Sequence, residues 1–300
     1  MSIDLLGKKM LRTIFEIVLG VILSISLTLA VVKTVQVKNV EEELATVKKK
    51  VAAANKKIAE FEKAAEGQHA PQSGHGPGQG APHWAYDGDL NPAKWGDVFP
   101  ECGTGKQQSP VDIRGPFEKA THEIKPDFKP GTRKILNNGH TLQVNIGAGN
   151  KTMINGESFD LLQFHFHRPS EEHIEGKPSA MVAHFVHKSA AGKLAVIGVL
   201  FSEGAENEVV KVIWANAPQQ EGPEKVIPEM TLNAAAMLPK RLNYYSYEGS
   251  LTTPPCTEGV TFYILKTPMA ISRQQVEAFP FKTNARPVQP LNGRRISVNG

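Results

Sequence analysis

The sequence has little cysteine: Cys102 and Cys256 are the only two among 300 residues. They lie far apart and form no C-x-x-C pair, so they do not indicate a closed structural metal site. The cysteine count alone leaves two readings open, two unrelated buried thiols or one disulfide that closes a long loop. Some 200 residues of ordinary composition can bury a substantial core without metal or disulfide crosslinks. We therefore expect any metal site to be functional.

The sequence also lacks a strong charge of one sign. Its formal net charge is only +4, from 34 Lys and Arg against 30 Asp and Glu. Much of the excess lies in Lys8, Lys9, Arg12 and the lysines of residues 33–63, and the remainder is nearly balanced. Nucleic acid is therefore not expected as a partner.

One long apolar run lies near the N-terminus, at Ile17–Val32, and basic residues precede it. This run predicts a transmembrane signal-anchor over residues 13–33 with a cytoplasmic N-terminus at residues 1–12. The alternative is a cleaved signal peptide with Thr28–Ala30 as its cleavage site, which would give a secreted or periplasmic protein. Both readings place the rest of the chain on the extracytoplasmic, periplasmic side. We favour an inner-membrane anchor because the run is long for a signal peptide.

Residues 34–66 show apolar positions spaced alternately by three and four, with charged residues between them. The first core position holds Val37, Leu44, Val51, Ile58 and Ala65, and the second holds Val40, Val47, Ala54 and Phe61. This heptad pattern predicts a coiled-coil tether and a homo-oligomer formed through it; the alternative is a single solvated helix. Residues 67–82 are rich in Gly, Pro and Gln and predict a flexible linker. The linker leads to a domain at residues 83–300.

The domain shows short apolar or alternating runs separated by Gly, Pro and Asn, without a fixed-period repeat. Candidate strands are 141–146, 161–167, 180–187, 194–201 and 260–265, and candidate short helices are 206–215 and 272–279. The pattern predicts a mainly β domain with a large sheet and small peripheral helices.

Two of these strands carry a histidine pattern typical of a metal site. Alternation along the strand sends Gln163, His165 and His167 to one face. In the second strand His184 lies on one face and His187 on the opposite one. Three imidazoles from two neighbouring strands leave the fourth position of a tetrahedral zinc ion open, as in catalytic zinc sites. The pattern therefore predicts a catalytic Zn²⁺ centre.

Seven segments in this domain resemble, in order, the motifs of the alpha carbonic anhydrases of the exported bacterial type. They are 107–113 (QQSPVDI), 138–140 (NGH), 163–167 (QFHFH), 170–173 (SEEH), 184–187 (HFVH), 250–259 (SLTTPPCTEG) and 284–291 (NARPVQPL). The resemblance covers roughly residues 83–295. It implies a large central twisted, mostly antiparallel β-sheet with short peripheral helices, here preceded by the transmembrane and coiled-coil helices.

The resemblance also implies residue roles. The zinc ligands are His165, His167 and His184, with Gln163 supporting a ligand from the same strand face. The catalytic residues are Thr252, whose hydroxyl donates to Glu172, and His140, which shuttles protons. The substrate pocket is lined by Val186, Val196, Leu251, Thr252, Thr253 and Val260. The two cysteines correspond to the disulfide of exported bacterial members, Cys102–Cys256.

The implied function is zinc-dependent, reversible hydration of carbon dioxide to bicarbonate and a proton, through attack of a zinc-bound hydroxide on the substrate. The membrane is the expected second partner, through the N-terminal anchor. One alternative is a non-catalytic carbonic-anhydrase-like binding module on a membrane stalk, whose signature would be the loss of a zinc histidine. A second is a zinc hydrolase of esters, but no acyl-binding elements can be recognised.

Two positions depart from the family pattern. Val182 stands where the family usually has Glu two residues before the third ligand, and Phe262 replaces a common Trp. A metal-bound imidazole usually donates its other N–H to an acceptor, and valine offers none. His184 is therefore expected to use water, a backbone carbonyl or a side chain from elsewhere. Phe262 is expected only to reshape the pocket.

Overall fold

The computed structural model describes residues 83–300. The predicted N-terminus (1–12), membrane anchor (13–33), coiled coil (34–66) and linker (67–82) lie outside these residues. Within the described part of the chain, no helix has the length and apolar character needed to cross a bilayer.

The described residues form sixteen strands, thirteen of them in one sheet and three in a small second sheet. The large sheet comprises β2 (Glu118–Lys119), β3 (Ile124–Asp127), β4 (Gly131–Asn137), β5 (Leu142–Asn145), β6 (Lys151–Ile154), β7 (Glu157–His167), β10 (Met181–Ser189), β11 (Leu194–Glu203), β12 (Lys225–Leu232), β13 (Tyr244–Ser250), β14 (Glu258–Leu265), β15 (Met269–Ile271) and β16 (Ser297–Val298). The small sheet comprises β1 (Asp112–Ile113), β8 (His173–Ile174) and β9 (Lys177–Pro178).

The large sheet has the strand order β12-β4-β5-β7-β10-β11-β14-β13-β16-β2, with β15 beside β11, β6 beside β7 and β3 beside β6. Most neighbouring strands are antiparallel; the pairs β11/β14, β11/β15 and β16/β2 are parallel. This is the expected large, mostly antiparallel sheet, and a sheet of this size carries the usual right-handed twist.

The five strands predicted from the sequence are β5, β7, β10, β11 and β14, which are consecutive neighbours in the sheet. They form its centre, where both faces are covered and the apolar pattern is strongest. The remaining strands were not predicted. Many of them span only two to four residues, too few to show a period.

The two faces of the central strands contact different apolar clusters. Ala183 and Phe185 of β10 belong to the larger cluster, whereas Val182, in a smaller cluster with Val196 and Phe262, points the opposite way. Because side chains alternate along a strand, His184 shares the face of Val182. The candidate metal centre therefore lies on the side of the smaller cluster.

Residues 83–300 contain four short α-helices outside the sheet: α1 (Trp95–Val98), α2 (Pro100–Thr104), α3 (Glu208–Asn216) and α4 (Arg273–Ala278), together with a 3₁₀ turn at Ala234–Met237. The two predicted helices are confirmed as α3 and α4. Asn207 caps α3 by accepting hydrogen bonds from the backbone N–H groups of Val209 and Val210. Ser272 and Gln275 form a capping box at the start of α4.

Cys102 of α2 and Cys256, in the loop between β13 and β14, form a disulfide, as the resemblance implied. The two residues are separated by 154 positions in the sequence. They pack with the buried ring of Trp95. A structural disulfide is consistent with a protein of an extracytoplasmic compartment.

Candidate metal centre

The three predicted ligands lie together on two adjacent strands. His165 and His167 come from β7 and His184 from β10, where His184 is the direct register partner of His165. One ligand nitrogen from each imidazole lies within 4.8 Å of the others. His167 and His184 are buried and His165 is half-buried. The period-2 pattern therefore predicted this cluster correctly.

The two ligands on β7 are each oriented through one ring nitrogen. His165 Nδ1 lies 2.9 Å from Gln163 Oε1, and His167 Nδ1 lies 2.7 Å from the backbone oxygen of Asn284. Both partners are acceptors, so Nδ1 carries the proton in each ring. The Nε2 lone pairs are left for a metal ion, and the predicted supporting role of Gln163 agrees with this contact.

His184 is oriented through its other nitrogen. Its Nε2 lies 3.1 and 3.2 Å from the two carboxylate oxygens of Glu172, which leaves Nδ1 as the ligand atom. Val182 is fully buried and supplies no hydrogen bond. The partner missing at position 182 is thus replaced by a side chain from elsewhere, one of the three outcomes expected from the sequence.

The site fits a zinc ion on the chemistry of its donors. His167 Nε2 is buried and makes no hydrogen bond within the described residues, although Glu171 Oε2 lies 3.4 Å away. A buried nitrogen without a hydrogen bond costs roughly 1–3 kcal/mol unless a ligand compensates it. Burial, followed by the charge of His184, lowers the pKa of His165 to about 3, and the same causes place the pKa of His167 well below its usual value. Both rings are therefore neutral and able to coordinate. Neutral imidazoles suit zinc.

The third imidazole has a different electrostatic environment. Burial lowers the pKa of His184, but the negative charge of Glu172, its hydrogen bond and the charge of Glu171 outweigh burial, so the pKa is raised. Glu171 Oε2 lies 3.7 Å from Nδ1, on the opposite side of the ring from Glu172. The His184 ring is thus held between two carboxylates.

The structure corrects the predicted partner of Thr252. The hydroxyl of Thr252 donates to Glu171, and the Glu172 carboxylate contacts His184 instead. Glu171 also accepts a hydrogen bond of 2.9 Å from the backbone N–H of Arg286. Burial, the largest effect, raises the pKa of Glu171 to about 7, while the Thr252 hydroxyl and the Arg286 N–H act in the opposite direction. The sequence alone does not distinguish these two glutamates, because they are adjacent.

The predicted pocket wall is largely brought together. Val186, Val196, Leu251 and Val260 all pack in the smaller apolar cluster. Thr253 is half-buried beside the buried Thr252 but lies outside that cluster. Phe262 belongs to the same cluster, and its ring centroid lies 5.9 Å from that of His184 in an edge-on arrangement. The wall beside the ligands is therefore apolar.

The predicted proton shuttle, His140, stacks on an aromatic ring. Its ring centroid lies 3.7 Å from that of Trp84 with an interplanar angle of 10°. Its backbone oxygen accepts a hydrogen bond of 3.0 Å from Asn284 Nδ2. The residue that orients His167 through its own carbonyl therefore also holds the backbone of His140.

Three functional residues were missed from the sequence: Glu171, Asn284 and Trp84. Glu171 and Asn284 lie in the quoted motifs 170–173 and 284–291. The motifs therefore include these two residues but assign no role to either of them. Trp84 lies at the start of the domain and has no sequence pattern that connects it with His140.

Comparisons with known proteins agree with this geometry. The sequence model of the eukaryotic-type carbonic anhydrase family matches residues 90–300. A carbonic anhydrase from Pectobacterium carotovorum is 43% identical over 221 residues, which are 71% of this chain and 90% of that protein. A carbonic anhydrase from Neisseria gonorrhoeae is 44% identical over 71% of this chain and 87% of that protein.

A solved structure supports the same assignment. The alpha-carbonic anhydrase from Thermovibrio ammonificans, in complex with the inhibitor sulfanilamide, has a TM-score of 0.69 and 39% identity to this chain. The match covers 72% of this chain and 98% of that one. The chain therefore belongs to the eukaryotic-type carbonic anhydrase family, and its function is that of a carbonic anhydrase, the reversible hydration of carbon dioxide.

Proposed function

We propose that the chain hydrates carbon dioxide at a zinc ion held by His165, His167 and His184. The observation that carries this proposal is the orientation of the three rings. Each has one nitrogen engaged with an acceptor, and each presents its other nitrogen to the common centre. Bound zinc supplies a nucleophile at neutral pH by lowering the pKa of a coordinated water to about 7, the established value for carbonic anhydrases.

Thr252 and Glu171 are proposed to orient the attack. The Thr252 hydroxyl has one proton, which it donates to Glu171. Its oxygen can therefore only accept a hydrogen bond from the attacking nucleophile, which turns the reactive lone pair toward the substrate. The Arg286 N–H holds the Glu171 carboxylate in place from the other side.

The apolar wall is proposed to bind carbon dioxide, which has no net charge or dipole. Val186, Val196, Leu251 and Val260 exclude water from this side of the centre. Thr253 is proposed to line the polar edge beside Thr252. Because the wall offers no hydrogen bond, the charged product bicarbonate is held less favourably there than the substrate.

His140 is proposed to carry the proton away. Imidazole is the side chain whose ordinary pKa lies closest to neutrality, so it can accept and release a proton at physiological pH. The stacked Trp84 ring and the Asn284 side chain hold His140 at a defined place.

We further propose that the domain works outside the cytoplasm on a membrane-anchored, oligomeric tether. The disulfide supports an oxidising compartment. The basic residues before the apolar run at 17–32, and the heptads that follow it, support the anchor and the coiled coil. Light scattering on the chain from residue 34 and from residue 83 should show a larger subunit number for the longer chain; monomers in both cases would reject the coiled coil.

The catalytic proposal is tested by zinc content and carbon dioxide hydration of the full chain purified in detergent. One zinc per chain and loss of both properties in H165A are expected, because that variant lacks one of three protein ligands. H122A is the matched control, since His122 is an exposed imidazole outside the centre. Full activity of H165A, or of zinc-free protein, would reject the proposed centre.

A further inference from the structure

The hydrogen-bond acceptor of His184 does not come from β10, the strand that carries His184. Val182, two residues earlier on β10, points to the same face but is apolar and fully buried. It packs in the smaller apolar cluster, which includes Val196 and Leu200 of the neighbouring strand. Strand β10 itself therefore provides no side-chain acceptor for this ring.

The acceptor comes from the segment that connects β7 with β8. Both oxygens of Glu172 lie within 3.2 Å of His184 Nε2, and the side chain is fully buried. The Tyr247 hydroxyl donates to Oε1 at 3.5 Å. Burying a carboxylate is costly unless it is paired, so this contact compensates the burial of both groups.

The backbone around Glu172 is held firmly. Ser170 Oγ donates to the Glu172 carbonyl oxygen at 2.7 Å and accepts from the Ser179 N–H at 2.8 Å. The next residue, His173, begins β8 and donates its N–H to the Val111 oxygen at 3.3 Å. These bonds fix the backbone from which the Glu172 carboxylate reaches His184, as a residue that orients a ligand requires.

We infer that Glu172 is the positioning residue for His184 and that Glu172 and Val182 form a compensated pair. The acceptor has moved from the strand to the β7–β8 connection, and position 182 has become apolar. With a carboxylate at both positions, two buried acceptors would compete for the single Nε2–H of this imidazole, in addition to the Glu171 carboxyl near Nδ1, which is unfavourable. Glu171 does not share this role, because it contacts the Nδ1 side of the ring and the Thr252 hydroxyl.

The inference rests on the zinc centre proposed above and is tested by chelator-driven zinc release from the full-length protein. E172V should release zinc about 10–100-fold faster than wild type, the usual cost of losing such a partner. E172Q, which keeps the shape and one acceptor oxygen, should lie between the two. V182E should also release zinc faster than wild type because of the second carboxylate.

The double variant E172V/V182E separates positioning from a general structural role. It returns one carboxylate to the strand position, so its zinc release should be slower than that of E172V and move back toward wild type. A role of Glu172 in folding alone would not be rescued from position 182. E175Q is the matched control, since Glu175 is an exposed carboxylate in the turn that follows β8, and it should release zinc at the wild-type rate.

The outcomes distinguish this inference from the proposed function. If wild type retains one zinc and E172Q and E172V release it at the wild-type rate, Glu172 is not a positioning residue. A double variant as fast as E172V overturns the compensated pair. Wild-type protein that retains no zinc rejects the zinc centre itself. Should E172V fail to fold, the comparison of zinc release rates between E172Q and E175Q still decides the role of Glu172.

Discussion

Strand β10 carries two buried histidines three residues apart, His184 and His187, and they have opposite environments. His184 has one nitrogen on Glu172 and directs the other toward two further imidazoles. His187 uses both nitrogens within the larger core, Nδ1 on the Phe185 oxygen at 2.8 Å and Nε2 on Thr152 Oγ1 at 3.0 Å. The comparison shows that burial does not make a ligand. A ligand needs one nitrogen that makes no hydrogen bond within the protein and is directed at other ligands.

The pairing of β10 with β7 shifts its register between Val186 and His187, and this shift lies between the environments of His184 and His187. Before it, residues of β10 alternate strictly between the metal face and the core face. Val186 shares the face of His184, and His187 lies on the core face near Phe128, at 6.1 Å between ring centroids. One strand therefore serves catalysis on one side and packing on the other.

The largest difference is expected when each histidine is replaced by alanine. H184A removes one of three zinc ligands, so zinc content and carbon dioxide hydration should both be lost. H187A should keep one zinc per folded chain. Metal analysis and stopped-flow hydration on both variants check this. Retained activity in H184A, or loss of zinc from folded H187A, would abolish the distinction.

The second expected effect is on stability, which both variants should lose for different reasons. H187A leaves a cavity and two unpartnered polar groups in the core, which should cost about 2–4 kcal/mol of unfolding free energy. In metal-free protein, H184A should cost more, about 3–5 kcal/mol, because it leaves the buried Glu172 carboxylate without its partner. Urea unfolding of the metal-free variants measures both values; a much smaller loss for H184A than for H187A would contradict the pairing of His184 with Glu172.

A third expected effect is the pH dependence of stability. Burial lowers the pKa of His187 to about 4, so below pH 6.5 the unfolded chain binds a proton that the folded chain does not. This contribution to stability is therefore lost as the pH falls from about 6.5 toward 4, by about 2 kcal/mol at pH 5. Metal-free wild type should lose that much more stability than H187Q between pH 7.5 and pH 5. Parallel losses would mean that the His187 pKa is not lowered.

The smallest expected effect concerns the hydrogen-bond partner of His187. T152V removes the hydroxyl that donates to Nε2 and leaves a buried acceptor, at a cost of about 1 kcal/mol or somewhat more. Zinc release should be unchanged in T152V.

Q163L, which removes the partner of His165, should instead accelerate zinc release about 10–100-fold at little cost in stability. T152V should therefore lower the free energy of unfolding measured in urea and leave the rate of zinc release to a chelator unchanged. Q163L should raise the rate of zinc release and leave the free energy of unfolding almost unchanged.

Much of the central fold could be predicted from the sequence. The strands β5, β7, β10, β11 and β14 show apolar or alternating runs long enough to reveal their period, and α3 and α4 show their capping residues Asn207 and Ser272. The short peripheral strands could not be predicted, because strands of two residues are defined by their neighbours in the sheet. The helices α1 and α2, of four and five residues, are equally too short for a periodic signal.

The sequence by itself determined which residues could form the centre: because a strand has a period of two, the alternation in 163–167 placed His165 and His167 on one strand face, and that in 181–187 placed His184 on the face opposite His187. Only the tertiary structure decided which partner each of them has. Glu171 and Glu172 are neighbours of the same type, and no local pattern distinguishes a partner for Thr252 from a partner for His184. The distinction arises because the β7–β8 connection folds back over β10 and brings the two carboxylates to opposite nitrogens of one ring. Contacts between segments distant in sequence depend on packing, which a local period does not encode.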